Sequence, residues 1–69
     1  MKQLPVVGTR VVYVVRGIHD DPTLQLGDRG TVAAVSEGRP YPVTVRFDRE
    51  REDIAIVDFL DPEQLDQAH

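Results

Sequence analysis

The chain has 69 residues, no Cys and a formal net charge of −4. That length supports one domain, which buries only about 60% of the surface its unfolded chain exposes. The composition excludes disulfides, thiol nucleophiles and thiolate metal sites, and the acidic balance opposes phosphate backbones and anionic membrane surfaces.

Val, Thr, Tyr and Ile recur in short runs between clusters of Gly, Pro and Asp, the pattern of a short-stranded β domain. The first strand is predicted over 10–15, opened by Gly8-Thr9. Val12 and Val14 lie on one side of it, and Val11, Tyr13 and Val15 on the other. Both sets are apolar, so alternation leaves the core face open. Such a strand is covered on both sides or offers one to a partner.

Residues 17–27 read as a long loop, with His19-Asp20-Asp21-Pro22 as a solvated turn and Leu24 and Leu26 tucked back onto the barrel mouth. Gly27 and Gly30 bracket a tight turn or bulge at the start of a second strand over 29–36. Glu37-Gly38-Arg39-Pro40 reverses the chain. The third strand, 43–47, alternates cleanly, with Val43, Val45 and Phe47 inward and Thr44 and Arg46 outward. A charged loop follows over 48–52, then a fourth strand over 53–59 with Ile54 and Ile56 on one face and Ala55, Val57 and Phe59 on the other. Asp61-Pro62-Glu63 predicts a single helical or 3₁₀ turn with Asp61 as N-cap and Pro62 at its first position.

These elements predict an all-β fold: one small SH3-like barrel of four to five short antiparallel strands with a one-turn helix near the C-terminus. Its body spans 6–65, with 1–5 and 66–69 as loose ends. Val32, Val35, Val43, Val45, Phe47, Ile56 and Leu65 are the predicted core. No apolar run approaches the ~20 residues of a membrane span. Met1 to Pro5 carries one Lys and no leader-like apolar stretch. The expected location is cytoplasmic, at most peripheral on the cytoplasmic face of a membrane complex.

Three strings carry a resemblance: Gly30-Thr31-Val32-Ala33, then Tyr41-Pro42-Val43-Thr44-Val45-Arg46-Phe47, then Phe59-Leu60-Asp61-Pro62-Glu63-Gln64-Leu65. Together they resemble the PsaE family of peripheral photosystem I subunits. Gly38-Arg39-Pro40 before the third strand is similar to the variable chain of ferredoxin–thioredoxin reductase. Both families are SH3-like barrels that serve as accessories rather than catalysts. The resemblance implies a non-catalytic docking module of a larger electron-transfer or redox complex, with photosynthesis as one setting. It implies a protein partner, either a larger complex subunit or a ferredoxin-like protein. Arg46 holds the place of the strand Arg that matters for ferredoxin docking in the photosystem family. The chain departs from that family in its apolar first strand, its early loop and its acidic charge.

Arg39, Tyr41 and Arg46 are the candidate protein-binding residues. Arg and Tyr carry much of the energy of interfaces, and Pro40 and Pro42 stiffen the turn between them. The plainer readings are Arg46 paired across strands with Asp53 or Glu52, and Tyr41 packing its ring on the barrel. The apolar outer side of the first strand, at Val11, Tyr13 and Val15, is the alternative interface. No clustered nucleophile and base, metal-ligand set or phosphate loop stands out, so neither catalysis nor a cofactor or metal is expected. Gly27-Asp28-Arg29-Gly30 is too short for a phosphate loop, and His19-Asp20-Asp21 are adjacent residues that do not converge on an ion. Four aromatics, Tyr13, Tyr41, Phe47 and Phe59, with at least two needed in the core, make polyproline recognition unexpected. A stand-alone bacterial protein-binding scaffold, or a KOW- or Tudor-like reader of nucleic acid or protein tails, is the competing function. Nucleic acid is disfavoured by the charge, and the oligomeric state is left open.

Overall fold

Alternation in the third strand places the core. In the computed structural model, which describes residues 3–68, Val43, Val45 and Phe47 are buried and Arg46 is exposed. They lie in β3 (Val43–Arg51), joined by β1 (Arg10–Tyr13), β2 (Arg29–Val35), β4 (Ile54–Leu60) and β5 (Leu65–Gln67). All five strands pair antiparallel in one sheet of order β4-β3-β2-β1-β5. One 3₁₀ turn, Pro62–Gln64, separates the last two strands. This is the all-β, SH3-like arrangement the sequence predicts. Asp61 precedes the turn with extended backbone and Pro62 opens it, where a missing N–H costs nothing.

The register answers the question that alternation left open in β1. Val11 pairs with Gly30 and Gln67, and Tyr13 with Leu65. Val11 and Tyr13 are fully buried, while Val15 lies beyond the strand and is exposed. The proposed apolar interface at Val11, Tyr13 and Val15 is therefore corrected, because two of its three residues are core. Tyr13 meets Phe47 edge-to-face, with ring centroids 6.0 Å apart. Leu24, Val32, Ile56, Leu60 and Leu65 complete the buried cluster, with Leu4 and Val35 packed against it. Val35 is only half-buried because the β2–β3 register shifts between Val32 and Ala34, which breaks the inward alternation.

Three further expectations change. The charged loop at 48–52 is mostly strand: β3 continues to Arg51, and Glu52 and Asp53 turn the chain with φ of 53° and 63°. Two central residues at positive φ make a tight two-residue hairpin, a geometry usually announced by Asn-Gly. Leu26 is exposed rather than tucked in; only Leu24 enters the core. Asp66 and Gln67 belong to β5, and the Ala68 N–H donates to the Arg10 carbonyl at 2.9 Å, so the end predicted loose is paired to β1. Met1, Lys2 and His69, also predicted loose, lie outside the described residues.

Gly30 lies close against β3, where it pairs with Phe47. A Cβ built there would lie 2.7 Å from the Arg46 carbonyl oxygen and 2.7 Å from Val45 Cγ1. The carbonyl belongs to the strand backbone and has no rotamer by which to retreat. Gly30→Ala is expected to destabilise the fold by about 1–3 kcal/mol, as overpacked sites do, measured as a lower midpoint in urea unfolding.

Candidate functional site

Pairing of β3 with its neighbours builds the outer surface of the sheet. Thr44 sits between Ala34 and Phe59, and Arg46 between Thr31 and Val57. Strand alternation puts Thr44, Arg46, Val57 and Phe59 on the same side, away from the core. Phe59 is 61% exposed and Val57 51% exposed, a large apolar pair left in water. Two open hollows flank this row. One, of about 480 Å³, is lined by Ser36, Arg39, Pro40, Tyr41, Thr44 and Phe59. The other, of about 500 Å³, has Thr31, Ala33, Arg46, Asp48, Glu50 and Ala55 among its lining residues.

The β2–β3 loop shapes the first hollow. Gly38 takes φ of 79°, the Arg39 N–H donates to the Ser36 carbonyl at 3.3 Å, and the Ser36 N–H donates to the Pro42 carbonyl at 2.8 Å. Tyr41, between the two prolines, has φ of 53°, a left-handed backbone that bulky residues rarely adopt. The His19 ring, from the early loop, meets the Tyr41 ring edge-on with centroids 6.0 Å apart.

Arg39 and Tyr41 thus share one hollow, and Arg46 lies one pair along β3 beside the second. The structure brings all three to one side, but not into one pocket. Phe59, which the sequence left on either of two faces, lines the hollow with Arg39 and Tyr41. The expected pairing of Arg46 with Asp53 or Glu52 does not occur, because its cross-strand neighbours are Thr31 and Val57.

Four arginines are tied into the fold. Arg10 donates to Asp48 at 2.8 and 2.5 Å and to Thr31 at 2.9 Å. The Arg10 guanidinium holds the Asp48 carboxyl below the usual carboxylate range, chiefly through these hydrogen bonds. Arg16 caps the carbonyls of Asp20, Asp21 and Leu24. Arg49 bridges Asp28 and the Thr23 carbonyl, and Arg51 lies 3.7 Å from Asp21. The guanidinium groups of Arg39 and Arg46, by contrast, make no hydrogen bond or ion pair among the described residues.

The early loop is held from within. Asp20 and Gln64 are buried polar residues. Asp20 Oδ2 accepts from the Tyr13 hydroxyl, from the Gly17 N–H at 2.7 Å and from Gln64 Nε2 at 2.8 Å. Gln64 also donates to the Val15 carbonyl at 3.1 Å and accepts from the Asp61 N–H at 3.0 Å. The solvated turn expected at His19-Asp20-Asp21 is therefore corrected. Asp20 turns inward because three donors meet it there, and Asp21 holds the turn through the N–H and hydroxyl of Thr23. These bonds hold Asp21 below the usual carboxylate range. Among the described residues no three His, Asp or Glu side chains gather as a metal site would require, and no helix is long and apolar enough to cross a membrane.

Comparisons with models of known protein families, with curated proteins and with solved structures return no match.

Burial first, then the bond to Asp20, push the Tyr13 hydroxyl up to about 12 from its ordinary value of 10.0. The folded state therefore favours the protonated phenol. Its contribution is fully present below pH 10 and is lost as the pH rises through the folded value. Tyr13→Phe is expected to lose about 1–3 kcal/mol at neutral pH, because Asp20 stays buried with one donor fewer. The variant is also expected to lack the part of the alkaline stability loss between pH 10 and 12 that comes from this phenol. Urea titrations at a series of pH values read both effects.

Proposed function

We propose that this chain is a non-catalytic docking module that binds another protein through the outer surface of β3 and β4 and the adjoining β2–β3 loop. The observation that carries the reading is the pair of unpartnered arginines, Arg39 and Arg46, beside the exposed Phe59 and Val57. A solvated aromatic flanked by free guanidiniums suits an interface centre, where aromatics and Arg carry most of the energy. The strained backbone of Tyr41 adds to this, since such strain clusters at binding sites and is maintained there by its surroundings.

The resemblance to the photosystem I subunit and to the reductase variable chain makes a redox complex, with a ferredoxin-like protein among its components, the first partner class to test. The stand-alone scaffold differs only in its partner. A reader of methylated tails fits less well. Tyr41 and Phe59 share a hollow, but Arg39 in the same hollow opposes a cationic ligand.

The test is affinity capture with wild-type chain, Arg46→Ala and Phe59→Ala, followed by calorimetry on the retained protein. Both side chains are exposed, so both variants are expected to keep the fold by circular dichroism. A protein retained by the wild type should bind at least about 2 kcal/mol more weakly to each variant, the size of a hot-spot loss. Equal affinity for all three chains would place the interface elsewhere.

A further inference from the structure

We infer that the hollow beside Arg46 receives a second copy of this chain, in a two-fold dimer in which Arg46 of each copy meets Glu50 of the other. This contact shares Arg46, Val57 and Phe59 with the docking surface, so a second copy and another protein would compete there; sedimentation of the isolated protein tests the dimer alone, and its failure leaves the docking reading standing.

Arg46 and Glu50 line the same hollow. Phe47, Asp48 and Arg49 separate the two along β3, and the β3–β4 register shifts within that stretch. Neither side chain makes a hydrogen bond or ion pair among the described residues, although they stand on one strand with opposite charge. The other carboxylate of the hollow, Asp48, is already held by Arg10. Among the described residues lining the hollow, one unpaired cationic and one unpaired anionic side chain therefore remain, displaced from each other along β3.

A two-fold axis superposes a surface on itself, so that residue i meets residue j and j meets i. With the axis between Arg46 and Glu50, each unpaired charge meets its opposite twice. Thr31, Ala33 and Ala55 are small and leave the backbones of the two sheets room to approach. Val57, opposite Arg46, and Phe59, which lines the neighbouring hollow on the same side of the sheet, supply apolar surface that this contact would remove from water. Charge sets the register and burial supplies the attraction. The net charge of −4 repels a second copy at long range, which makes the local Arg46–Glu50 match a condition for association.

Sedimentation velocity of the wild type, from micromolar to millimolar chain, reads the association. A sedimentation coefficient that rises with concentration towards the dimer value is expected. Arg46→Glu and Glu50→Arg should each weaken association by about tenfold or more, since each sets like charges against each other. The double variant carrying both substitutions should restore it, because the pair is re-formed with its signs exchanged. Circular dichroism checks that each variant is folded. Amide shifts on dilution of the wild type, confined to Thr31, Arg46, Glu50, Val57 and their neighbours, give a readout that needs no variant. A wild type that stays monomeric throughout, single variants that associate unchanged, or a folded double variant that stays dissociated would each overturn the inference.

Discussion

Asp20 carries a carboxylate into an environment where it is only 7% exposed, and Tyr13, Gly17 and Gln64 each donate a hydrogen bond to one of its oxygens. A buried charge is tolerated only when its donors are in place. The three donors come from the end of β1, from the start of the early loop and from the 3₁₀ turn. Those segments must therefore meet, and the loop between β1 and β2 cannot detach without leaving Asp20 uncompensated. Gly17 is part of the condition. A Cβ there would lie 2.5 Å from Gln64 Nε2 and 2.8 Å from Asp20 Oδ1. In a domain this small the apolar core leaves little margin, and a polar clamp that closes an eleven-residue excursion (17–27) substitutes for the core it lacks.

The clamp reaches the candidate site through one peptide bond. His19 precedes Asp20, and its ring lies against Tyr41 on the far loop. The remainder of the early loop is fixed by arginines from outside it or at its base: Arg16 on three of its carbonyls, Arg49 on Thr23, Arg51 near Asp21. The division of labour among the arginines follows. Those that hold the loop have their donors occupied, while Arg39 and Arg46 keep theirs free over the outer surface. A free guanidinium beside Phe59 loses less on binding than one that must first break an internal pair.

The third strand and the Asp61-Pro62 turn were legible because their signals are local: a two-residue period, and a proline after an N-cap residue. The core face of β1 was not legible, because Val11, Val12, Tyr13 and Val14 are all apolar and only pairing with β2 and β5 distinguishes them. The Glu52-Asp53 hairpin was hidden by chemistry that does not advertise positive φ, and the run around it looks like a solvated loop. Asp20 was hidden for the opposite reason. Asp beside Asp-Pro is turn chemistry, and its three donors lie between 3 and 44 residues away in the chain. Arg39 and Tyr41 were found from their types and the flanking prolines. Phe59 needed the register that sets it opposite Thr44.

Exposed sheet offers a partner either an edge or a face, and side-chain bonding distinguishes the two here. β4 and β5 end the sheet. β5 is three residues long, with Asp66 and Gln67 exposed, which makes it a poor template for a further strand. β4 is longer, but Asp58 guards it. One oxygen of Asp58 accepts from the Phe59 N–H at 2.8 Å, and the other accepts from the Asp21 N–H of the early loop at 2.7 Å. A strand added at this point would have to displace the carboxylate from the Phe59 amide and meet the loop that Asp58 holds. The face has no such guard. Its apolar side chains are exposed, its two guanidiniums have no partner among the described residues, and the loop that borders it is braced by Pro40, Pro42 and the His19 ring. The same residue that closes the edge of β4 thus leaves the Phe59 side chain, on the outer face, as the part of that strand open to contact.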